Sequence, residues 1–441
     1  RILEYLAVKQ LNPELRHQII CLVGPPGTGK TSIAKSIADS MKRKYVRVSL
    51  GGIRDEADIR GHRKTYIGSM PGRIINAINQ AGVMNPLMLL DEIDKLTKDS
   101  HGDPSSAMLE VLDGEQNKTF RDHFIELPVD LSECMFIATA NSTETIPEPL
   151  LDRMEIIEVS SYTKNEKLHI AKEHLVAKQL KKNGLTKKSV RFTDKALAKI
   201  IDGYTMEAGV RELERMIAAV LRKVVRKNYT VGGVNIEKQI VITDKNLSEY
   251  LGKVKFIKEK ASRKNEVGIV RGLAWTAAGG DTLEIEVNVL GGKPELILTG
   301  NMGDVMRESA QIALSYVRSV VRKNQIFEEN AIHIHIPEGA VPKDGPSAGI
   351  TMATAIYSAV TGKPVDASTA MTGEVTLRGR VMPIGGLKEK LLAAKTAGLK
   401  RVLVPLENKS DVEEFEEEIV QGLEIVYVSD MKEVLKLAIV K

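Results

Sequence analysis

Apolar runs with the length of buried strands alternate with helical patterns along the first 160 residues. The strand-like runs are IICLV (19–23), VRVSL (46–50), LMLLD (87–91) and CMFIATAN (134–141). Segments with helical spacing, such as TSIAKSIADSM (31–41), lie between them. Strands that alternate with helices in this way are typical of a parallel sheet. We therefore predict an α/β domain over residues 1–160.

The rest of the chain changes pattern twice. Residues 161–252 show mostly helical periodicity, and residues 253–266 are polar and basic without a clear period, which indicates a linker. Strand and helix patterns mix again over residues 267–441, with strand-like runs TLEIEVNVL (282–290), ELILTG (295–300), AIHIHIPEG (331–339), AMTGEVTL (370–377) and RVLVPL (401–406). The expected architecture is multidomain, with an α/β domain, a helical domain and an α+β domain.

Composition narrows the class of protein. Of 441 residues, 43% are hydrophobic and 27% are charged, and the 63 basic and 58 acidic residues are interspersed. This balance indicates a mixed, solvated surface rather than a nucleic-acid footprint. No apolar run reaches the roughly 18 residues of a membrane span. Cys21 and Cys134 lie in apolar runs, so we expect buried thiols in a reducing compartment. Because the chain opens within a helical pattern, we expect that residues before Arg1 are missing.

A phosphate-binding loop follows the first predicted strand. The segment GPPGTGKT matches the full G-x-x-x-x-G-K-[ST] pattern with Gly24, Pro25, Pro26, Gly27, Thr28, Gly29, Lys30 and Thr31. Glycines let backbone N–H groups face phosphate oxygens, and the following helix presents its positive end. Lys30 would reach the terminal phosphates, and Thr31 would ligate Mg²⁺. The loop therefore predicts a site for ATP and Mg²⁺.

Polar residues at two further strand ends fit the same chemistry. Asp91 would hold Mg²⁺, and Glu92 would orient the attacking water. Asn141 ends the strand-like run 134–141, where its amide would align that water. Arg153, in PLLDRMEII, would reach the γ-phosphate of a neighbouring subunit as an arginine finger. The alternative for Arg153 is an exposed arginine in a salt bridge.

An aromatic residue lies in a glycine-flanked loop. In GHRKTYIGSMPGR (61–73), Tyr66 and Ile67 lie between Gly61 and Gly68. A loop tip is a poor place to bury an aromatic side chain. An exposed tip of this kind would grip an unfolded polypeptide through apolar contact. The alternative is a core tyrosine at a strand end.

A serine lies where a loop enters an apolar helix, in PKDGPSAGITMATAIYSAV. Ser347 is either a nucleophile or the N-cap of that helix. The residue three positions later is Ile350, so no capping box is present, and Asp344 is an alternative cap. The residues of this loop alone do not separate the two hypotheses.

A lysine on an apolar helix face is the candidate base for this serine. Lys390 shares a face with Leu387, Leu391 and Ala394, and burial there would lower its pKa enough for a general base. The alternative is a lysine whose amine reaches water. His333 and His335 alternate along a strand and would serve as metal ligands, as a base, or as hydrogen-bonded strand residues. No G-x-S-x-G elbow is present, which argues against an α/β-hydrolase.

The phosphate loop, the DE and Asn strand ends and the LLDR segment resemble AAA+ ATPases. EAGVRELER (207–215) looks like the second sensor on the helical lid of that class, with Arg211 as its arginine. These proteins typically act as hexameric rings, in which Arg153 would reach the nucleotide of the neighbouring subunit.

The second half of the chain resembles the proteolytic domain of the Lon family of ATP-dependent serine proteases. The resemblance rests on PKDGPSAG, TGEVTLRGRVMPIGGLKEKLLAA and GLAWT (272–276), with GHRKTYIGSMPGRI, GDPSSAMLEVLDGEQN and LDRMEIIE in the first half. It covers essentially the whole chain and implies an α/β P-loop AAA+ domain (1–160), a helical lid (161–252), a linker (253–266) and an α+β Lon-type protease domain (267–441). The family's N-terminal substrate-binding domain is expected to be absent.

The resemblance also implies roles for individual residues. Ser347 and Lys390 match a serine–lysine dyad that cleaves peptides, and Thr372 matches a hydroxyl that steadies the lysine. Glu374 would support the site, and Asp344 matches a loop acid that affects whether the site is open. The implied activity is ATP-driven unfolding, translocation and degradation of unfolded or damaged proteins by a homohexamer.

Several alternatives stay open beside this hypothesis. The chain would also fit a non-proteolytic AAA+ remodeller, a protease that uses His333 as its base, or a nucleic-acid motor. Some Lon proteins bind DNA, so DNA binding is a possible secondary activity. The expected location is the bacterial cytoplasm, with the mitochondrial matrix as the alternative, and no membrane partner is expected.

Overall fold

The computed structural model describes most of the chain as two compact units. The described residues are 1–11, 19–65, 67–96, 103–230, 233–234, 236, 238–256, 264–276, 279–321, 324–337, 343–415 and 417–440. The first unit comprises Arg1–Lys187 and Glu207–Val225, and the second unit comprises Lys188–Met206 and Arg226–Lys441. Tyr66 and residues 257–263 of the predicted linker lie outside the described residues.

A five-stranded parallel sheet forms the centre of the first unit. In chain order the strands of this unit are β1 (Ile19–Val23), β2 (Tyr45–Ser49), β3 (Leu87–Asp91), a small hairpin of β4 (Phe120–Arg121) and β5 (Pro128–Val129), β6 (Met135–Ala140) and β7 (Met154–Glu158). The sheet has the order β2-β3-β6-β1-β7. The four apolar runs of the sequence thus form β1, β2, β3 and β6, which confirms the predicted α/β architecture.

Helices cover both faces of this sheet because both faces of its strands are apolar. The helices of this unit, of which α2, α4 and α5 contribute buried residues to the cores on the two faces of the sheet, are α1 (Ile2–Leu11), α2 (Lys30–Ser40), α3 (Ala57–Arg60), α4 (Arg73–Ala81), α5 (Pro104–Leu112), α6 (Glu148–Leu151), α7 (Lys164–Ile170) and α8 (Val176–Lys182), with a π-helical turn at Ala171–Leu175. Ile20 and Leu22 join a core with α2, whereas Cys21 joins a second core with α4 and α5. Cys21 and Cys134 are free and buried, as predicted.

The middle of the chain contributes two longer helices and several short elements to the two units. They are β8 (Val190–Phe192), α9 (Asp194–Gly203), α10 (Arg211–Lys227), β9 (Tyr229–Thr230), β10 (Gly233–Val234), β11 (Ile240–Ile242) and α11 (Leu247–Leu251). β8 pairs with β11 in parallel, and β9 pairs with β10 in an antiparallel ladder. The region is therefore largely helical, as predicted, with two small ladders added.

A seven-stranded mixed sheet organises the second unit. Its elements in chain order are β12 (Ile269–Thr276), β13 (Gly279–Gly291), β14 (Leu296–Thr299), α12 (Asp304–Val320), α13 (Asn324–Glu329), β15 (Asn330–His335), α14 (Gly349–Thr361), β16 (Thr369–Met371), β17 (Glu374–Val375), β18 (Val381–Met382), α15 (Leu387–Thr396), β19 (Arg401–Pro405), α16 (Lys409–Glu413), α17 (Glu417–Val420), β20 (Glu424–Val428) and α18 (Met431–Ala438). The sheet order is β14-β15-β13-β12-β16-β19-β20. This arrangement confirms the predicted α+β class.

The structure differs from the sequence prediction at residues 370–377. The predicted continuous strand is split into β16 and β17 around Thr372 and Gly373. The backbone N–H of Thr372 donates to Leu403 O at 3.1 Å, and that of Gly373 donates to Ser347 O at 2.9 Å. The chain therefore leaves the sheet at this point because its next hydrogen bond goes to the serine loop.

The helices of the second unit enclose two apolar cores. Residues of α12, α14 and α18 share one core with β13 and β15, whereas residues of α15 share another with β12, β16 and β19. Among the residues that the structure describes, no helix has both the length and the apolar character required to cross a bilayer.

Candidate nucleotide and proteolytic sites

The predicted phosphate loop connects β1 to the first turn of α2. Gly29 precedes α2 with a φ of 84°, in the left-handed region that favours glycine. The N–H of Gly24 donates to Ala140 O at 3.1 Å, which ties the loop to β6. The Lys30 ammonium donates to the carbonyl oxygens of Gly24 at 2.5 Å and Pro25 at 2.9 Å. The loop has the strand–loop–helix setting that phosphate binding requires.

Lys30 lies among the other predicted nucleotide-site residues. Its ammonium is 3.3 Å from Asn141 Oδ1. Burial lowers the pKa of Lys30, and the Asp94 and Asp91 carboxylates oppose that shift, whereas the Arg211 guanidinium adds to it. Thr31 is exposed in the first turn of α2. The structure therefore brings these predicted residues to one edge of the parallel sheet.

The two acids that end β3 differ in their surroundings. Asp91 is buried, and its Oδ2 accepts from Arg47 Nε at 2.7 Å and Nη2 at 2.5 Å, while Thr139 donates to its Oδ1. Glu92 follows with a φ of 62° and forms a 2.6 Å ion pair with Lys95. Asp91 is thus fixed by its neighbours, whereas Glu92 is half-buried on a turn beside the sheet edge.

The segment that carries Arg211 lies directly on the phosphate loop. The N–H of Val210 donates to Gly27 O at 3.1 Å. An ideal Cβ built on Gly27 would lie 3.2 Å from Arg211 Cβ. Arg211 is the first residue of α10, so its side chain starts beside the phosphate loop. The structure therefore places Arg211 beside the phosphate loop, and its role as a second sensor stays a prediction.

A Gly209→Ala variant is expected to lower nucleotide affinity at least about tenfold, because it separates this segment from the loop. An ideal Cβ on Gly209 would lie 2.3 Å from the backbone carbon of Gly27, where no side chain fits. Fluorescent-ADP titration measures the change. Gly385→Ala is the control, since nothing lies within 4 Å of its Cβ position. Equal affinity in the two variants would contradict the assignment of Arg211.

Arg153 forms contacts within its own chain. Its Nη2 lies 3.2 Å from Asp113 Oδ2, and its Nη1 donates to Pro149 O at 2.8 Å. The pKa of Asp113 is lowered, first by N–H donors from Glu115 and Gln116 and then by Arg153. The salt-bridge alternative therefore describes the isolated chain, and the finger role of Arg153 stays a prediction.

The predicted substrate loop presents an apolar residue to solvent. Ile67 is fully exposed and Met70 is also exposed. The N–H of His62 donates to Met70 O at 3.1 Å and closes the loop at its base. Tyr66 lies outside the described residues, so its predicted role is untested.

Ser347 is the middle residue of a 3₁₀ turn, Pro346–Ala348, that leads into α14. The N-cap residues of this turn and of α14 are Gly345 and Ala348, and no side chain forms a capping hydrogen bond at either position. The hypothesis that Ser347 caps α14 is therefore not supported. Thr372 Oγ1 donates to Ser347 O at 3.4 Å and is buried, so the structure brings these two predicted residues together.

Asp344 caps a different helix from the one considered in the sequence. Its Oδ1 accepts from Met306 N at 3.0 Å, in the first turn of α12, and from Gly345 N at 2.9 Å. The N-cap of α12 is Gly303, which has no side chain to satisfy these orphan N–H groups. The loop before Ser347 is therefore attached to the start of α12.

Lys390 is only 3% exposed, on the face predicted from helical spacing. Burial lowers its pKa from 10.5 to about 8, and the neighbouring Glu389 carboxylate partly opposes the shift. An ideal Cβ on Gly280 would lie 1.9 Å from Glu389 O, so only glycine lets α15 lie this close to β13. A lysine with this pKa is roughly one tenth neutral at pH 7, which suits proton transfer.

The two strand histidines share one hydrogen-bonding partner. His333 Nε2 lies 2.9 Å and His335 Nδ1 lies 2.7 Å from Thr299 Oγ1 on the neighbouring strand. In the described part of the chain, no group of three or more His, Cys, Asp or Glu side chains is placed to hold a metal. The geometry supports the hypothesis of hydrogen-bonded strand residues.

Three family models cover most of the chain. Residues 20–162 match the ATPase family associated with various cellular activities, residues 181–233 match the Lon protease AAA+ ATPase lid domain, and residues 241–441 match the Lon protease C-terminal proteolytic domain. The chain belongs to the Lon protease family.

Relatives in the Lon family align with the whole of this chain. It is 60% identical to the Lon protease of Lachnoclostridium phytofermentans, 57% identical to that of Clostridioides difficile and 56% identical to Lon protease 1 of Bacillus subtilis. The alignments include 100% of this chain and 59%, 56% and 57% of those relatives. The chain therefore spans less than two thirds of the length of the Lon proteases it matches.

Tyr162 contacts the nucleotide site but carries no sequence motif that would reveal it. Its hydroxyl donates to Thr28 O at 2.7 Å, and its N–H donates to Ala208 O at 3.0 Å. One residue thus contacts the phosphate loop and the segment before Arg211. Its only sequence signal is an aromatic directly before the Thr163 capping box of α7.

Proposed function

We propose that this chain carries the ATPase and peptidase parts of an ATP-dependent serine protease that degrades unfolded or damaged proteins. The observation that carries the proposal is the buried Lys390, with a pKa lowered to about 8, in the same unit as the Ser347 turn. The phosphate loop in the first unit accounts for the proposed dependence on ATP.

The nucleotide site fits ATP with Mg²⁺. The backbone of Gly24–Thr31 and the Lys30 ammonium would bind phosphates at the positive end of α2. Thr31 and Asp91 would hold Mg²⁺, whose preference for oxygen ligands matches a hydroxyl and a carboxylate. Bound there, the ion would neutralise charge on the phosphates. Glu92 would orient the attacking water, with Asn141 as its partner and Arg211 as a further cation at the phosphates.

The proposal also includes assembly and substrate handling. We propose a homohexamer, in which Arg153 would leave Asp113 and reach a neighbouring subunit's nucleotide. Tyr66 and the exposed Ile67 would grip an unfolded chain through apolar surface, which needs no particular substrate sequence. Two buried free thiols suit a reducing compartment, and the relatives named above are bacterial, so we propose a bacterial cytoplasmic location.

Peptide cleavage would proceed through an ester on Ser347. Neutral Lys390 takes the proton from Ser347 Oγ, which attacks the peptide carbonyl carbon. The Lys390 ammonium then protonates the leaving amine. Water next attacks the ester while Lys390 takes its proton, and Lys390 returns that proton to Ser347 Oγ as the acid product leaves. Thr372 would steady the amine, Glu374 would support the site, and N–H groups of the turn at Ser347 would stabilise the oxyanion.

Ser347→Ala is expected to abolish ATP-dependent casein degradation, with a loss of at least about 10³-fold, and to leave ATP hydrolysis intact. Ser315→Ala removes a hydroxyl that only bonds within α12, and it serves as the matched control. Casein degradation by the Ser347 variant at the wild-type rate would contradict the proposal. ATP hydrolysis without casein degradation in the wild type would indicate a remodeller instead.

A further inference from the structure

A fully buried carboxylate lies at the base of the predicted substrate loop. Asp122 follows β4 and is 0% exposed. Its Oδ2 accepts from Gly72 N at 2.7 Å, and its Oδ1 accepts from Phe124 N at 2.8 Å and Ile125 N at 3.1 Å. A carboxylate is stable in such a place only when donors replace its lost water, and here backbone N–H groups do so.

Asp122 and the next residue hold both ends of the loop. The carboxylate binds Gly72, which immediately precedes α4, and the N–H of His123 donates to Arg60 O at 2.6 Å, directly before the loop begins. The His62–Met70 hydrogen bond lies just inside these two contacts. The loop therefore leaves the protein body through a narrow, hydrogen-bonded base.

Two glycines make this narrow base possible. An ideal Cβ on Gly61 would lie 2.8 Å from Gly72 N and 2.9 Å from Asp122 Oδ1. An ideal Cβ on Gly72 would lie 2.0 Å from Ile59 O. The two ends of the loop are thus as close as their backbones allow, and the Asp122 carboxylate lies beside both glycines.

A second contact joins the loop to the β4–β5 hairpin. The ammonium of Lys64 lies 5.4 Å from the centre of the Phe124 ring, within the range of a cation–π contact. Phe124 also donates its N–H to Asp122. The same short hairpin therefore holds the loop at its base through Asp122 and along its side through Phe124.

We infer that Asp122 is the positioning residue of the substrate loop, which it fixes to the protein body so that ATP-driven movement reaches the bound chain. This inference rests on the proposed function of the loop as the substrate grip. If the loop could pivot freely at its base, it would not transmit force from the protein body to Ile67. Its movement would then not pull the bound polypeptide. The Asp122 carboxylate removes that hinge by joining the loop end, the start of α4 and the hairpin.

Asp122→Asn tests this role because asparagine keeps the shape and the acceptor for Phe124 and Ile125 but turns an N–H donor toward Gly72. A spin label on Ile67→Cys reports loop mobility, and a label on Lys35→Cys, on the exposed face of α2, reports the protein body. Cys21 and Cys134 are buried, and burial raises the pKa of both thiols to about 12, so they leave the labelling specific.

The expected result has two parts. The Ile67 label becomes markedly more mobile in Asp122→Asn while the Lys35 label is unchanged, and ATP-dependent casein degradation falls at least about tenfold. Cleavage of a short fluorogenic peptide and basal ATP hydrolysis stay within about twofold of wild type. Asp130→Asn, which alters a carboxylate that caps Ser132 N–H at 2.8 Å in the same region, is the matched control and should change none of these.

Increased mobility of both labels would show that Asp122→Asn fails to fold. A second variant then tests the same role of Asp122. Gly72→Ala forces the base open against Ile59 O and should give the same loop-specific mobility. Unchanged mobility of the Ile67 label in a folded variant would overturn the inference. Casein degradation at the wild-type rate by Ile67→Asp would contradict the proposed grip of the loop on substrate. The mobility of the Ile67 label in Asp122→Asn tests the role of Asp122 independently of that result.

Discussion

Lys390→Met is expected to lower peptide-bond hydrolysis by about 10³-fold, while ATP hydrolysis stays within about twofold of wild type. Methionine fills nearly the same volume on the buried face of α15 but accepts no proton. Ser347 would then keep its proton at neutral pH and attack poorly. Steady-state cleavage of a short fluorogenic peptide measures the loss without a contribution from unfolding or translocation.

The stability of the same variant provides its control. Because folding lowers the pKa of Lys390 from 10.5 to about 8, the unfolded chain binds more protons between these values. Stability of the wild type therefore rises with pH across that window, and the buried ammonium costs up to about 3 kcal/mol at pH 7. Lys390→Met removes this cost and should raise the free energy of unfolding by about 1–3 kcal/mol. A less stable variant would mean that lost activity reflects lost structure.

Lys30→Ala is expected to lower ATP hydrolysis at least about 100-fold and to stop casein degradation with it. Lys30 supplies a half-buried positive charge to the phosphate loop, where it donates to the Gly24 and Pro25 carbonyls and lies close to Asn141. A coupled ATPase assay and a casein assay measure the two effects. Short-peptide cleavage should persist, because Ser347 and Lys390 lie in the other unit.

Lys35→Ala is the matched control for this prediction, since Lys35 is an exposed lysine on the same helix. It should change ATP hydrolysis by less than about twofold. Casein degradation that continues in Lys30→Ala at the wild-type rate would separate proteolysis from ATP hydrolysis and contradict the coupling.

Local sequence patterns predicted most of the elements that position the two sites. The buried strands β1 and β3 coincide with their apolar runs, because a strand covered on both faces is apolar along nearly its whole length, and only Asp91 at the end of β3 is charged. The helical spacing around Lys390 also predicted its buried face. These features depend on neighbours in sequence, so a single sequence contains the information for them.

Contacts between distant segments could not be predicted in the same way. Arg47 binds Asp91 only because β2 and β3 are adjacent in the sheet, and the sequence does not state strand order. Asp122 reaches Gly72 across 50 positions, and Tyr162 reaches Thr28 across 134. The split of the strand at Thr372 has the same cause, since its partners are Leu403 and the serine turn.

Covalent labelling of Ser347 by a fluorophosphonate probe, followed by mass spectrometry from pH 6 to pH 9.5, tests directly whether Lys390 is the base for Ser347. An adduct is expected on Ser347, with a rate of formation that rises about tenfold per pH unit and levels off near pH 8, as Lys390 loses its proton. Lys390→Met should label about 10³-fold more slowly. An adduct on another serine, an equal rate in Lys390→Met, or a midpoint near about 6.5, as expected for a histidine base, would contradict it.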